Sequence, residues 1–205
     1  MSLDFCAIDF ETASWDRASA IQVGIVRVRD RQVVDQFATL LRPLPGFDEF
    51  SDAAIEIHHI TPEMVAHAPY WRDCYSAVRT FIDEDRLVSY NARFDGQVFA
   101  STSLISGIDD ASVEMGCALT WAQRTLTGLS NHRLATVAAH FGIELTNHHD
   151  ATADAVACAQ VVIHLATIYE VDSIDELARL ANGQFSFYQA DKKTLAAYLA
   201  DQTHH

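Results

Sequence analysis

Two carboxylates stand one residue apart at the end of the first apolar run, Leu3 to Ile8. Alternate side chains of a strand point to the same face, so Asp9 and Glu11 would lie side by side. Neighbouring carboxylates repel each other, and in a protein interior they need a cation close by. An all-oxygen ligand set suits a hard divalent ion such as Mg²⁺ or Mn²⁺. Taken alone, the pair is more often a strand end that faces water, so its meaning depends on the residues downstream.

Two further groups of polar residues lie where a strand or loop passes into a helix. Asn91-x-x-x-Asp95 follows the compact strand Arg86 to Tyr90, and His149-x-x-x-x-Asp154 leads into a long apolar helix. Asp95 alone is more often a helix N-cap, and His149 alone is more often a loop histidine. Asp154 is harder to explain structurally, because an unpaired carboxylate buried in an apolar helix is costly.

The apolar pattern predicts the elements that position these residues. Three sequential strands with short connections, ending near Leu41, indicate an antiparallel meander. Strands and helices then alternate, which is typical of an α/β protein with a mixed sheet and helices on its faces. In such sheets, sites gather where strand ends meet helix starts. Beyond the meander we predict a strand at 86–90 and a short strand or loop passing into a helix over 113–126. We predict further helices at 71–82, 96–105, 133–141, 151–169, 174–180 and 194–199.

The charge of the chain limits how it could hold nucleic acid. Its 205 residues include 14 basic and 28 acidic side chains, a formal net charge of -14. Proteins that hold long stretches of nucleic acid by the phosphates usually show a basic footprint. The only two lysines are Lys192 and Lys193. A polyanionic substrate would therefore be held locally, through metal ions, backbone amides and a few arginines.

The sequence favours a cytoplasmic protein. The N-terminal residues lack the features of a secretory signal, and the longest apolar tract, Ala155 to Tyr169, is shorter than the ~20 residues that a bilayer requires. We therefore expect no membrane partner. The four cysteines are Cys6, Cys74, Cys117 and Cys158. They are scattered without a C-x-x-C pair, as expected of reduced thiols.

The three groups together, in this order and on these elements, resemble the motifs of the DEDDh family of 3′-to-5′ exonucleases. The similarity covers about residues 3–170 and is to the DnaQ-like branch, which contains the proofreading (epsilon) subunit of DNA polymerase III. It implies a ribonuclease H-like domain over residues 1–170, with a five-stranded mixed sheet flanked by helices, and a helical extension over residues 171–205. The terminal His204 and His205 could be remnants of a purification tag and are left out of the site.

The resemblance also implies roles for individual residues. It makes His149 the general base, although the neighbouring His148 and Asp150 could compete for roles in the site. The other subtype of the family has a tyrosine four positions before the last aspartate, where this chain has Asp150, so the histidine subtype is favoured. Four carboxylates would hold two divalent ions, Mg²⁺ or Mn²⁺: Asp9, Glu11, Asp95 and Asp154.

Three residues are candidates for substrate binding. Thr12 follows the first motif, Asn91 begins the second, and His58 is a lesser candidate. His58 lies in the segment Ile57 to Thr61, which resembles a family motif except that His59 occupies a position where glycine is usual. Because of that substitution, the resemblance does not determine the backbone conformation of this loop. Aromatic residues that could stack a base are Trp15, Tyr90 and Phe94.

Two classes of function follow. The first is a metal-dependent exonuclease that releases 5′-mononucleotides from the 3′ end of single-stranded DNA, or alternatively of short RNA. The second is a non-catalytic module that binds a DNA polymerase or another replication or repair protein. The full set of catalytic residues favours the enzyme, and metal-dependent hydrolysis distinguishes the two.

Overall fold

A mixed sheet of six strands forms the centre of the protein. The computed structural model describes residues 2–145 and 148–202, so His204 and His205 lie outside the described residues. Strands β1, β2 and β3 form the predicted antiparallel meander, β4 and β5 continue the sheet in parallel to β1, and β6 is antiparallel to β5. The order across the sheet is β3-β2-β1-β4-β5-β6. The strands are β1 (Phe5–Thr12), β2 (Ala20–Arg29), β3 (Gln32–Leu40), β4 (Leu87–Ser89), β5 (Val113–Cys117) and β6 (Ser186–Tyr188).

Helices cover both faces of this sheet, which confirms the predicted α/β class. The sequence pattern predicted that the helix after β4 begins near Gly96. In the structure this helix, α4, begins at Ala92, and Asn91 is its N-cap. Asp95 therefore lies in the first turn of α4. The helices are α1 (Asp52–His58), α2 (Pro62–Val65), α3 (Trp71–Ile82), α4 (Ala92–Ile105), α5 (Ala118–Thr125), α6 (Leu134–His140), α7 (Ala151–Ile168), α8 (Ile174–Leu180) and α9 (Lys192–Gln202).

The alternation of β1 separates two hydrophobic cores. Phe5 and Ala7 face a core built mainly with α5, α6, α7 and α8. Cys6, Ile8 and Phe10 face the other core, with α3 and α4. Asp9 and Glu11 continue the first set, so they point toward the face that α7 covers.

Helix α7 is the main element of the first core. Among the described residues it is the one helix long and apolar enough to cross a membrane by length and composition, and 56% of it is buried inside the protein. It lies against β1 and β2. Its apolar character on all sides is that of a core helix.

A glycine in β2 allows the start of α7 to lie directly on the sheet. Gly24 is paired with Asp9 across the β1–β2 ladder. A Cβ atom at Gly24 would come within 2.4 Å of the backbone N of Thr152 and 2.5 Å of the carbonyl of Ala151. Since backbone atoms of a helix cannot move aside, the absence of a side chain here sets the distance between α7 and β1.

The segment after α7 returns to the other end of the sheet. Within it, β6 pairs with β5 and adds a sixth strand that the sequence pattern did not predict. Tyr188 of β6 packs over Gly96, where a Cβ atom would lie 2.4 Å from its ring. Helix α9 then contacts α4, and its Lys193 forms an ion pair with Asp16 at 2.5 Å. The division of the chain at residue 170 stays a prediction.

Replacing Gly24 by alanine should destabilise the protein, because the methyl group would push the start of α7 away from β1. Overpacking of this kind typically costs about 1–3 kcal/mol. Urea denaturation measures this change in the free energy of unfolding. Ala38, which pairs with Gly24 from β3, provides a control: Ala38→Gly alters the same strand ladder without adding a group beneath α7. An unchanged stability in Gly24→Ala would show that α7 is not held at this distance.

Candidate active site

Strand β1 places two carboxylates on the face covered by α7. In the β1–β2 ladder, Asp9 pairs with Gly24 and Glu11 with Gln22. Oxygen atoms of Asp9, Glu11 and Asp154 all lie within 4.8 Å of one another, and this set could hold a metal ion. The pair that the sequence singled out and the aspartate of the late helix are thus brought together.

Asp95 reaches this site from the first turn of α4, on the opposite side of β1. One of its oxygens accepts a hydrogen bond from the backbone N–H of Phe10 at 3.0 Å, and the other accepts one from the hydroxyl of Ser89. Both groups are buried. Strand β4 ends at Ser89 while β1 continues, so the Asp95 side chain takes the place of a strand partner for the amide of Phe10.

The start of α7 is held by a side chain of β2. Asp150 caps the helix by accepting hydrogen bonds from the N–H groups of Thr152 and Ala153, each at 3.1 Å. The Gln22 amide donates to Asp150 at 3.0 Å and accepts from the N–H of Ala151 at 3.2 Å. Asp150 is therefore engaged as the N-cap, and Gln22, beside Glu11, fixes where the helix begins.

The two histidines before α7 occupy different positions beside Asp154. Nδ1 of His148 lies 2.9 and 3.0 Å from the two carboxylate oxygens of Asp154. His149 donates only its backbone N–H to Asp154, at 3.3 Å, and its ring stacks on that of His148 with centroids 3.8 Å apart. His149 has a positive φ of 74°. Both histidines line the same cleft as Asp154.

The three predicted substrate-binding residues have different surroundings. Asn91 is exposed and lines the cleft beside the carboxylates. Thr12 is buried, and its hydroxyl donates to the carbonyl of Ser14 at 2.8 Å. His58 is also buried, its Nδ1 accepts the N–H of Ile60, and burial lowers the pKa of its imidazole.

The loop after His58 accommodates a histidine where the resembling family usually has glycine. His59 is the C-cap of α1 and has φ 59° and ψ 14°, in the left-handed region. Glycine adopts this conformation at no cost. The backbone of this loop therefore has the glycine-like geometry although its side chain differs.

Burial raises the pKa values of three carboxylates of the site, and neighbouring carboxylates add to the rise for Asp9 and Glu11. Burial raises the pKa of Glu11 to about 8, with repulsion from Asp154 and Asp95 adding to it. Burial and the neighbouring carboxylates also hold the pKa of Asp9 well above its ordinary range. Burial raises the pKa of Asp95 to about 7, opposed by the hydrogen bonds from Ser89 and Phe10. Among the described residues no lysine or arginine forms an ion pair with these three carboxylates.

A divalent cation fits this arrangement. Carboxylate oxygens are the ligands that hard cations prefer, and a cation among them would remove the repulsion that raises their pKa values. Asp9, Glu11 and Asp154 could bind it directly. The two histidines and Asp154 form a second group with ligand atoms within 4.8 Å of one another.

These side chains open into a cleft of about 560 Å³. One end carries the carboxylates and histidines, and the other is bounded by α5 and by the start of α6. The walls combine apolar and polar groups: Asp9, Tyr90, Asn91, Phe94, Asp95, Leu119, Gln123, His132, Arg133, Leu134, His148, His149 and Asp154.

Sequence reasoning missed two side chains that orient the site. Ser89 is fully buried at the end of β4, and Gln22 is the polar residue of β2 beside Glu11. A polar residue in an otherwise apolar strand is a weak signal for either of them. Asp150, the partner of Gln22, is 128 residues away in the sequence. Asp95 is only six residues from Ser89, but their contact depends on how the chain turns from β4 into α4.

Comparison with known proteins identifies the family of this chain. A family model described as "Exonuclease" matches residues 6–162. The chain belongs to this exonuclease family. It is 29% identical over 192 residues to a DNA polymerase III PolC-type protein of Oceanobacillus iheyensis, covering 92% of this chain and 13% of that protein. It is 28% identical over 202 residues to the corresponding protein of Bacillus subtilis, covering 96% of this chain and 14% of that one. This exonuclease thus spans only about a seventh of the length of these relatives.

Solved structures confirm the ribonuclease H-like exonuclease fold. Exonuclease X in complex with 5′-overhanging duplex DNA superimposes with a TM-score of 0.69 at 22% identity, covering 86% of this chain and 99% of that one. The nuclease domain of 3′hExo, a DEDDh family member bound to rAMP, gives a TM-score of 0.68 at 15% identity, with 82% and 93% covered. The fold that the resemblance to DEDDh exonucleases implies is therefore confirmed.

The raised pKa of Glu11 predicts a pH-dependent stability for the metal-free protein. At pH values between 4.5, the ordinary pKa of glutamate, and about 8, its pKa in the folded protein, the folded state binds more protons than the unfolded state. The contribution of Glu11 to the stability of the protein should therefore be greatest below pH 4.5 and should be lost as pH rises through about 8. A loss of about 1 kcal/mol lowers Tm by roughly 2–4 °C in a chain of this size.

Thermal denaturation in EDTA across this pH range measures the effect, with Glu11→Gln as the comparison. The variant should show a weaker decline, and added Mn²⁺ should raise Tm of the original protein most at high pH. Equal pH dependence in both proteins would contradict the assignment of the raised pKa to Glu11.

Proposed function

We propose that this exonuclease removes 5′-mononucleotides from the 3′ end of single-stranded DNA with the help of two divalent ions, Mg²⁺ or Mn²⁺. The observation that supports it most is the cluster of Asp9, Glu11 and Asp154, whose oxygens lie within 4.8 Å of one another without a lysine or arginine partner among the described residues. Asp95 adds a fourth carboxylate to the same cleft.

The carboxylates would share the ions between them. Asp9 occupies the central position, between Glu11 on its own strand and Asp95 on α4, and is the residue we assign to both ions. Glu11 and Asp154 would help to hold one ion, and Asp95 would help to hold the other. When bound, the ions would stabilise charge on the phosphate and on the leaving 3′ oxygen.

His149 is our general base. It lines the cleft, and burial together with the neighbouring His148 lowers the pKa of its imidazole. The ring is therefore neutral at neutral pH and able to take a proton from the attacking water. His148 contacts both oxygens of Asp154, and we assign it a structural part that holds the carboxylate.

The substrate assignment combines the cleft with the relatives. The cleft has apolar walls beside acidic groups, as expected for a nucleotide bound next to metal ions. The relatives named DNA polymerase III PolC-type favour DNA and a polymerase or other replication protein as partner. RNA is the alternative, since a solved neighbour is a 3′-exonuclease that recognises the 3′ end of a histone mRNA stem-loop. Thr12, Asn91 and His58 are the residues we place near the terminal nucleotide.

Digestion of end-labelled oligonucleotides tests the proposal. Single-stranded DNA and RNA, each labelled at either end, are incubated with Mg²⁺, Mn²⁺ or EDTA. We expect 5′-labelled DNA to shorten stepwise from its 3′ end with metal and to stay intact in EDTA. Stepwise shortening of RNA alone would move the assignment to an exoribonuclease, and intact substrates in every mixture would contradict catalysis.

Asp9→Asn should abolish this digestion while leaving the fold intact, because the amide keeps the shape and removes the charge. A loss of at least about 10³-fold is expected for a group that supports two-metal chemistry. Circular dichroism checks the fold. The matched control is Asp109→Asn, an exposed aspartate outside this cleft, which should keep the original rate.

His149→Ala and His148→Ala separate the two histidines. Loss of the general base should lower kcat by about 10²–10⁴-fold, whereas loss of His148 should change kcat by much less. The rates are measured under saturating substrate and metal. A larger loss in His148→Ala than in His149→Ala would assign the base to His148.

A further inference from the structure

The cleft extends well beyond the carboxylates. From Asp9 and Asp154 it continues to Gln123 of α5 and to His132 and Arg133 before α6. Of the three residues that we place near the terminal nucleotide, Asn91 lines this cleft beside the carboxylates, whereas Thr12 and His58 do not line it. A strand whose last nucleotide lies near Thr12 would have to leave the carboxylates in another direction, and the cleft offers it a path.

Arg133 is the one lysine or arginine among the described residues that lines this cleft. Its side chain is exposed, and no described residue forms an ion pair or side-chain hydrogen bond with its guanidinium. Several other cations of the described chain are paired with carboxylates, as Arg86 is with Glu114 at 2.6 Å. In a chain with a formal charge of -14, an unpaired arginine facing an acidic cleft is available for an anionic ligand.

The backbone around Arg133 is held in place on both sides. The hydroxyl of Tyr90 donates to the carbonyl of His132 at 2.7 Å, which ties the loop to the end of β4. The Asn131 side chain accepts the N–H of Arg133 at 2.9 Å and the hydroxyl of Thr136 at 2.8 Å. The base of this side chain is therefore fixed before a ligand arrives, which lowers the entropic cost of binding.

We propose that Arg133 binds a backbone phosphate of the single strand on the 5′ side of the scissile bond. The guanidinium suits phosphate oxygens, and the apolar side chains of Leu119 and Leu134 beside it suit a sugar or base. This inference rests on the proposed exonuclease function. It makes Arg133 a substrate-binding residue that acts on the leaving part of the strand rather than on the terminal nucleotide.

Two substrates distinguish this role from a general effect on the site. An oligothymidine carries phosphates on the 5′ side of the scissile bond, whereas the 4-nitrophenyl ester of thymidine 5′-monophosphate has none. Arg133→Ala should raise KM for the oligonucleotide about tenfold, the size expected for losing one charge-assisted contact, and leave kcat/KM for the ester unchanged. Arg133→Lys should recover part of the loss. The control is Arg124→Ala, an exposed arginine of α5 that does not line the cleft.

Direct binding identifies the phosphate without relying on turnover. Anisotropy of fluorescein-labelled oligothymidine in Ca²⁺ is followed against salt, and Arg133→Ala should reduce the slope of log K against log salt by about 0.7. Oligonucleotides with a single neutral methylphosphonate, moved along the strand, should lose their sensitivity to Arg133→Ala at one linkage.

An equal loss on the nitrophenyl ester, an equal loss in Arg124→Ala, or an unchanged salt slope would each overturn the proposal. If the original protein hydrolyses neither substrate, the proposed exonuclease function fails. The salt slope and the methylphosphonate series still decide whether Arg133 binds a phosphate.

Discussion

The cost of burying several like charges governs the architecture of this protein. Asp9, Glu11 and Asp154 would separate if their backbones were free, since burial and mutual repulsion both disfavour their charged forms. They stay together because each is attached to an element that is fixed by other contacts. β1 pairs with strands on both sides, and α7 is buried against it. The apolar cores thus hold in place a cluster that is electrostatically unfavourable by itself, and a divalent cation would relieve it.

Helix α7 joins stability and function in one element. Its apolar side chains fill the core on one face of the sheet, and its first turn carries Asp154. Gly24 sets how closely this turn approaches β1, and Gln22 sets where the helix begins. A change in β2 therefore alters the site without touching any of its carboxylates. The chain is acidic overall. Among the described residues, Arg133 is the one arginine that lines the cleft, and it has no ion-pair partner there.

The sequence by itself determined the order of the elements and the set of residues that could bind metal or take part in catalysis. Period-two and helical patterns located the meander and the long helices, because burial of one face imposes a regular spacing on apolar residues. The three motifs identified the carboxylates because charged side chains next to apolar runs are rare. Such side chains have few purely structural uses. The pattern failed at β6, whose three residues, Ser186–Tyr188, are too few and too exposed to produce a periodic signal.

The tertiary structure alone decided how these residues are oriented. Ser89 and the amide of Phe10 direct Asp95, and His148 rather than His149 contacts the carboxylate of Asp154 with its ring. The sequence could not distinguish these two histidines, because either of two adjacent side chains in a loop can face the site. Which one does so depends on the positive φ of His149 and on the position of α7. Sequence spacing fixes which residues share an element, whereas contacts between residues far apart in the chain exist only once the elements have packed.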